Sequence, residues 1–391
     1  MMAAAATMFA ACTQSDFVND LPVKGPKAIE FKSGHINKST RAENSTSNYT
    51  LKFSDHHKSF AVWGYKNVAA APVFNGKTVN VKLGDDAGSE IYNYDGLVYW
   101  DESANSYQFY AAAPADGGWT FNAPDNVKKD NGYFTRTIKL DHTKINQGQG
   151  AHLTSMKPAD GSDNQDLLIA ASCSPAIGET VGFEFIHILS RLNVIVSKKQ
   201  GLSEEVRTFE VSVKNLKLEG DFDESREAAN NTVGSYARWT NQRTPGNYVA
   251  TKVDGAIVQE GVERHVIQTL VIPQEAQYGA IEINGSDATS TSAPYLCVEY
   301  GIENGTETIT EGEETKTVKT FEKFKKYYNL AQIFGMAAGQ SLAFNEGWEN
   351  TLTLTIGPKS IDFKATVATW ALGTKKENTL HNTPNPSTPN L

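Results

Sequence analysis

One cysteine stands where it could carry a covalent lipid. Cys12 ends an apolar, alanine-rich run over residues 8–11, and polar residues follow it at once. Small residues before a cysteine fit the narrow cleft of a signal peptidase, and the thiol can then receive diacylglycerol as a membrane anchor. We therefore predict a lipoprotein signal over residues 1–12, and the lack of basic residues before the run indicates a start upstream of Met1. The alternative is an alanine-rich N-terminus with an incidental cysteine.

The other reactive residues form no catalytic pattern. The signatures HExxH and GxSxG, the P-loop and the dinucleotide fingerprint are absent from the sequence. The adjacent His56 and His57 would point to opposite faces of a strand, which makes joint binding of one metal ion awkward. His187 lies in an apolar run, where a histidine hydrogen-bonded to the backbone is the simpler interpretation. We predict no catalytic residue, no metal site and no cofactor.

Composition excludes further classes of function. The chain has 391 residues, and its 36 basic and 45 acidic residues give a net charge of −9. A nucleic-acid binder needs a basic stripe to replace phosphate counterions, and the sequence has no such Lys/Arg cluster. No apolar stretch reaches the roughly 20 residues of a transmembrane helix, so any membrane attachment must be an anchor. The 39% of hydrophobic residues suffices for two or three domains.

The elements that would position any site are short strands. In Val79–Leu83 apolar and polar side chains alternate strictly, which predicts a sheet with one solvated face. Similar pieces recur along the chain, and the last two, Thr351–Ile356 and Ile361–Val367, alternate most cleanly. Many short strands with frequent turns and almost no helical period predict an all-β protein of two tandem antiparallel β-sandwiches.

Four other segments indicate boundaries and connections. The turn-rich stretch Pro175–Gly178 predicts the boundary between the two sandwiches. Residues 303–319, rich in Glu and Thr, suggest a solvated loop. Aromatic residues at helical spacing allow a short helix or an extended connection around residues 320–335. Prolines among Asn and Thr predict a disordered tail from Gly373.

The aromatic residues between positions 63 and 110 allow two interpretations. Their rings could stack on sugar faces, or they could fill the half-buried pleats of a sandwich, which their β propensity favours. We prefer the second. Cys173 and Cys297 are likewise expected as small apolar core residues, and a disulfide between them stays open. The aromatic residues between positions 63 and 110 include Trp63, Tyr65, Tyr92, Tyr94, Tyr99, Trp100, Tyr107, Phe109 and Tyr110.

An ordered set of motifs runs along the chain. The motifs are, in order, Phe60–Tyr65, Tyr107–Ala111 with Pro114, Gln165–Ala170, Phe185–Val194, Val271–Gln274 and Ile361–Trp370. With the lipidation motif before them, they are similar to the fimbrillin family of Bacteroidales, the subunits of type V pili, over nearly the whole chain. The resemblance implies transthyretin-like β-sandwich domains, no enzymatic activity, other fimbrial subunits as partners, and a fimbrium at the cell surface.

The resemblance also implies an assembly route. The precursor is an outer-membrane lipoprotein, and an arginine-specific protease removes its N-terminal segment with the first strand. Loss of that strand opens a groove with unpaired backbone groups, which a strand from the next subunit fills. In this sequence Lys27–Lys32, with Ile29 and Phe31, would be the removed strand. Cleavage is expected between Arg41 and Ala42, because Arg41 is the only arginine before Arg136.

The predicted donor strand lies near the C-terminus. Its alternate side chains are Ile361, Phe363, Ala365 and Val367, with Trp370 as a last anchor. The same residues could equally form the last strand of their own domain, so the choice between a stalk subunit and a tip or accessory subunit stays open. The rival functions are a non-polymerising, glycan-binding surface lipoprotein and a surface hydrolase built from dispersed carboxylates.

These predictions divide the chain into five parts. A signal segment ends at Cys12, and an N-terminal segment with the removable strand follows it. Two sandwiches and a tail complete the chain, and the candidate donor strand belongs to the second sandwich. The predicted ranges are 1–12, 13–41, 42–178, 179–372 and 373–391.

Overall fold

The computed structural model is almost entirely β, which confirms the predicted fold class. Among the residues that it describes, two short α-helices, α1 (Phe53–His56) and α2 (Leu330–Ile333), interrupt the strands. The residues that the structure describes are 26–36, 53–67, 72–85, 89–125, 131–143, 145–148, 165–226, 236–284, 287–289, 293–311, 314–358, 360–369 and 372–380. Cys12, Arg41, Ala42 and Trp370 therefore lie outside the described residues. No helix within these ranges is long and apolar enough to cross a membrane.

The strands are numbered in chain order. They are β1 (Phe31–Ile36), β2 (Ser59–Lys66), β3 (Pro72–Leu83), β4 (Glu90–Asn93), β5 (Tyr107–Ala113), β6 (Thr120–Asn122), β7 (Tyr133–Lys139), β8 (Asn146–Gly148), β9 (Leu168–Cys173), β10 (Val181–His187), β11 (Ser190–Lys198), β12 (Val206–Asp223), β13 (Trp239–Val258), β14 (Arg264–Val271), β15 (Gln274–Gln277), β16 (Glu282–Asn284), β17 (Asp287–Thr289), β18 (Tyr295–Glu311), β19 (Glu314–Asn329), β20 (Ser341–Phe344), β21 (Trp348–Ile356), β22 (Ile361–Thr369) and β23 (Leu372–Leu380).

The chain divides into two compact units. Among the described residues, the first unit takes those up to 136 together with 167–187, and the second takes 137–166 and those from 188 onward. The division falls later than the Pro175–Gly178 boundary that the turn residues predict. The reason is that β10 pairs with β9 inside the sheet of the first unit. That each unit is transthyretin-like stays a prediction.

The first unit is built on a seven-stranded sheet. Its strand order is β1-β10-β9-β5-β2-β3-β4, and β1 runs parallel to β10 while the other pairs are antiparallel. Strand β2 is buried on both faces. One face carries Phe60 and Val62 into the main core, and the other packs Trp63 against Phe121 and Phe134. Toward the edge, β3 keeps the predicted alternation at Val79 and Val81, while Leu83 is 62% exposed.

The second unit contains a six-stranded sheet of order β23-β22-β21-β11-β14-β8. Strands β11 and β21 are its parallel pair, and Val194 and Leu352 face each other in their register. A further sheet places β12 beside β13 and β18, and β18 beside β19. The cleanly alternating segments of the sequence lie in β21 and β22, and their alternate apolar residues Leu352, Leu354, Ile356, Ile361, Phe363 and Ala365 are buried.

Three segments differ from the sequence-based expectations. Residues 303–319 form the outer part of the β18–β19 hairpin rather than a loop, since Thr suits an exposed strand as well as a turn. Around residues 320–335 both allowed forms occur, because β19 is extended up to Asn329 and the helix is limited to α2. Asn329 caps α2 by accepting a hydrogen bond from the backbone N–H of Gln332 at 3.0 Å. Residues 372–380, assigned mostly to the tail, form β23, because pairing with the backbone of β22 needs no apolar alternation.

Candidate functional site: the N-terminal segment and its groove

Residues 26–36, here called the N-terminal segment, are bonded along both edges. On one edge the N–H of Ile29 donates to the carbonyl of Val98 at 2.8 Å, and the N–H of Trp100 donates to the carbonyl of Lys27 at 3.0 Å. On the other edge the N–H of Val181 donates to the carbonyl of Glu30 at 2.8 Å, and β1 continues parallel to β10. The segment is therefore an integral strand of the first unit.

The alternation of the segment sends two side chains into the core. Ile29 is 1% exposed and Phe31 is 5% exposed, whereas Glu30 between them faces solvent. Four aromatic rings surround the ring of Phe31. Phe183 stacks on it at 5.9 Å, while Phe74, Tyr94 and Phe109 meet it edge to face at 5.2, 5.5 and 6.2 Å. Phe31 thus fills an aromatic pocket, and such pairs add to the free energy of simple burial.

A glycine shapes one wall of this pocket. A Cβ atom at Gly64 would lie 2.8 Å from two ring carbons of Phe109, closer than side chains approach each other. Gly64 is on β2, and Phe109 faces it from the neighbouring strand β5. The missing side chain lets the Phe109 ring lie against β2, where it forms the wall that Phe31 contacts.

The N-terminal segment lies in a groove between residues Val98–Trp100 and strand β10. Side-chain contacts hold the Val98–Trp100 edge of this groove in place. The Trp100 ring packs edge to face on Tyr107 at 4.6 Å, and the hydroxyl of Tyr107 accepts a hydrogen bond from the N–H of Asp101 at 2.8 Å. The ammonium of Lys66 lies 2.8 Å from the Asp101 carboxylate. Hydrogen bonds from Lys66 and Ser103 lower the pKa of Asp101 to about 2, so this carboxylate is ionised at neutral pH.

Tyr94 links the segment to that edge. Its hydroxyl donates to the carbonyl of Ile29 at 2.7 Å and accepts from the N–H of Val98 at 3.3 Å. Burial raises the pKa of Tyr94, so the phenol stays neutral and can donate throughout the physiological range. The hydroxyl bonds to a backbone carbonyl, which any occupant of the groove would offer at this position.

Removing the Tyr94 hydroxyl is expected to loosen the segment. In Tyr94→Phe the ring contacts remain while the bond to Ile29 is lost, which should cost about 1 kcal/mol. Amide hydrogen exchange at residues 29–31 should then speed up by roughly fivefold, since 1.4 kcal/mol corresponds to a factor of ten. Tyr99→Phe is the matched control, because Tyr99 is 47% exposed. Equal exchange in both variants would contradict the role of the hydroxyl.

The comparison with known families decides the identity. A family model described as fimbrillin-like matches residues 40–370. The chain belongs to the fimbrillin-like family. Membership supports a role as a fimbrial subunit at the cell surface, with other fimbrial subunits as its partners.

The solved structures that are similar to this fimbrillin-like chain include proteins of two Bacteroides species. A fimbrial protein of Bacteroides vulgatus is 14% identical with a TM-score of 0.49, and the match covers 88% of this chain and 99% of that one. A candidate cell adhesion protein of Bacteroides uniformis is 15% identical with a TM-score of 0.46, over 90% of this chain and 100% of that one. No curated protein matches the chain.

In this fimbrillin-like chain the predicted donor strand lies in its own second unit. It forms β22, which pairs with β21 on one side and β23 on the other. Ile361, Phe363 and Ala365 are buried, and the ring of Phe363 meets Tyr328 edge to face at 4.6 Å. Val367 is half-buried. The structure thus has the second of the two arrangements that the sequence allows for these residues.

The burial of the aromatic residues bears on the rival functions. Of the nine aromatic residues named above between positions 63 and 110, six are buried, including Trp100 at 4% exposure. Tyr92 and Tyr94 pack against the core. Tyr99 is the exposed member. A sugar-stacking platform needs open ring faces, so this arrangement favours the core interpretation. Cys173 and Cys297 are buried and no disulfide joins them, and burial raises the pKa of the Cys297 thiol to about 11.

The contacts of the buried acidic residue Glu346 are those of a structural residue. Burial raises the pKa of Glu346 to about 7, yet its carboxylate accepts two hydrogen bonds from the Arg238 guanidinium, one of them at 3.2 Å from Nε. This geometry is typical of a buried structural ion pair rather than of an acid and base that share a substrate. Within the described ranges, no group of three or more His, Cys, Asp or Glu side chains could hold a metal ion.

Sequence reasoning found the segment but missed its surroundings. The alternation Ile29-Glu30-Phe31 is enough to identify the two side chains that are buried. The role of the Tyr94 hydroxyl and of the Val98–Trp100 edge has no local signal. Tyr94 stands out in the sequence only as one of several neighbouring aromatic residues, and nothing in its spacing relates it to Ile29.

Proposed function

We propose that the protein is a structural pilus subunit that polymerises by donor-strand exchange and contributes to adhesion. In this proposal an arginine-specific protease removes the N-terminal segment, and a strand of the next subunit takes its place. The observation that supports it is the hydrogen bonding of the segment along both of its edges, with Ile29 and Phe31 buried in the first unit. A strand in this position can be replaced by another strand but cannot be lost without cost.

The cost follows from the groups that removal would leave unpaired. The N–H groups of Trp100 and Val181 would each lose a partner, and the carbonyl of Val98 would keep only the Tyr94 hydroxyl, at 3.4 Å. A buried polar group without a partner costs about 1–3 kcal/mol, and the emptied aromatic pocket would expose apolar area. Another extended strand would restore the backbone bonds whatever its sequence, while its alternate side chains would refill the pockets.

Cleavage between Arg41 and Ala42 would release the whole segment. Arg41 lies five residues beyond Ile36, the last residue of β1. A cut there severs the segment from the remainder of the first unit without touching a strand of the described fold. The candidate donor is the stretch of Ile361, Phe363, Ala365, Val367 and Trp370, provided by a second subunit.

We also propose that the precursor is an outer-membrane lipoprotein anchored through Cys12. Replacing Cys12 with Ser should abolish metabolic labelling with a radioactive or alkyne-tagged fatty acid. The diacylglyceryl group is transferred to a cysteine thiol, with which it forms a thioether, and a serine hydroxyl does not replace that thiol. Cys173→Ser is the matched control and should keep the full label, since Cys173 is buried. A Cys12→Ser chain that still takes up the lipid would place the anchor elsewhere.

The experiment that tests polymerisation is digestion of the purified full chain with an arginine-specific protease. N-terminal sequencing identifies the cut, and size analysis without denaturant follows assembly. Cleavage before Ala42 followed by a ladder of high-mass species is the expected result. A correctly trimmed chain that stays monomeric would argue against strand exchange by this protein alone.

A second candidate is a tip or accessory subunit that accepts a strand without donating one. The pairing of β22 with neighbours on both sides favours it, because a donor strand must leave β21 and β23 before it can enter another subunit. Such a subunit would cap purified ladders of a stalk fimbrillin rather than extend them. Size analysis of mixed subunits after digestion distinguishes the two roles.

A further inference from the structure

The strand in the groove has a near copy elsewhere in the chain. Residues 25–32 read GPKAIEFK and residues 357–364 read GPKSIDFK, so six of eight positions are identical. The two differences, Ala28 against Ser360 and Glu30 against Asp362, conserve size or charge. Beyond Lys32 and Lys364 the sequences diverge. The copies belong to different units, the first in the N-terminal segment and the second at the start of β22.

The structure buries the same two side chains in both copies, although β22 is antiparallel to its two neighbours whereas β1 runs parallel to β10. Ile29 and Ile361 are 1% and 0% exposed, and Phe31 and Phe363 are 5% and 7% exposed. Each phenylalanine meets a tyrosine ring edge to face, Tyr94 at 5.5 Å in one case and Tyr328 at 4.6 Å in the other. The residues that differ, such as Glu30 and Asp362, are not buried. The isoleucine and the phenylalanine that fill the apolar pockets are identical in the two copies. The two substituted positions lie outside these pockets.

We propose that residues 357–364 of a second copy of this chain occupy the groove in the register of residues 25–32. Ile361 then lies where Ile29 lay, Phe363 enters the aromatic pocket of Phe31, and the new strand runs parallel to β10. The inference rests on the proposed strand exchange and adds the direction and the register of the donor strand. The Tyr94 hydroxyl bonds to the carbonyl of Ile361 as it did to that of Ile29.

The near identity reduces the net cost of the exchange. When β22 leaves its own sheet, Ile361 and Phe363 lose buried apolar area, and they regain a comparable area in the groove because the same side chains fit there. Removal of the N-terminal segment is then the step that starts the exchange, since the groove accepts one strand at a time. Processing thus controls assembly by opening the groove of the acceptor.

Cysteine cross-linking tests the register directly. In the N-terminal segment Lys32 is the register partner of Gly182, and a Cβ at Gly182 would lie 3.3 Å from the Lys32 side chain. The proposal therefore places Lys364 of the donor opposite Gly182 of the acceptor. The full chain carrying Gly182→Cys and Lys364→Cys is digested with the arginine-specific protease and oxidised. Non-reducing gels should show a covalent ladder, and the undigested chain should show none.

Two further double-cysteine variants serve as controls, one for oxidation at the site and one for the register. Gly182→Cys with Lys32→Cys should form a disulfide within the undigested chain, which checks that the site oxidises. Glu184→Cys with Lys364→Cys reports a register shifted by two residues, about 6.6 Å, and should give at least tenfold less ladder. Polymers that form without the 182–364 bond overturn this inference and leave strand exchange standing with another register or another donor. A trimmed chain that forms no polymer overturns the proposed function and this inference with it.

Discussion

Replacing Phe31 with alanine is expected to lower the free energy of unfolding of the first unit by about 3–5 kcal/mol. The side chain is 5% exposed and its ring contacts Phe74, Tyr94, Phe109 and Phe183. These rings belong to the rigid sheet or to its edge, so the pocket cannot collapse to fill the space. Loss of the anchor should also let the segment leave without proteolysis, and the uncut variant should begin to form high-mass species.

Urea unfolding followed by tryptophan fluorescence measures the first effect, and size analysis of the uncut chain measures the second. Glu30→Ala is the control, because Glu30 precedes Phe31 on the same strand and faces solvent. Its stability should stay within about 0.5 kcal/mol of the parent chain. A Phe31→Ala chain as stable as the Glu30→Ala control would show that the pocket does not hold the segment.

Replacing Arg41 with alanine is expected to stop maturation completely. The next arginine in the chain is Arg136, which lies within β7, and a strand in a sheet does not fit a protease cleft. The segment would then keep its hydrogen bonds to Val98, Trp100 and Val181, and the groove would stay filled. Cells producing this variant should accumulate full-length precursor and no surface polymer.

Immunoblotting of whole cells and N-terminal sequencing of the surface fraction measure this outcome. Arg41→Lys separates the charge from the specificity of the protease, and it should be blocked as fully as Arg41→Ala. Lys38→Ala changes a neighbouring positive charge and should mature normally. Mature protein of the usual length from the Arg41→Ala chain would contradict the assigned cleavage site.

The local part of the fold follows from the sequence. Strict alternation identifies β21 and β22, and it identifies Ile29 and Phe31 as a buried pair, because a pleated strand presents alternate residues to one face. The same rule fails at Leu83, where β3 reaches beyond the core that covers Val79 and Val81. Alternation shows which side chains share a face, but not how far the covering layer extends.

The pairing of distant strands is the part that the sequence does not reveal. Ala28 forms a bridge with Tyr99, and Phe31 pairs with Val181. Backbone hydrogen bonds carry no sequence code, so the choice of neighbours depends on the packing of whole layers. The division between the two units has the same origin, since β10 follows a turn-rich break in the chain and yet returns to the first sheet.

The pairing of the N-terminal segment with β10 has a mechanical consequence. The hydrogen bonds of β1 cross from strand to strand, whereas a pull along β1 acts in the direction of the strand axis. Tension transmitted through the chain therefore loads these bonds in shear, all at once, instead of peeling them apart one after another. The Phe31 ring, enclosed on several sides, resists sliding in the same direction. A strand held in this groove would act as a joint that resists a steady pull along its length.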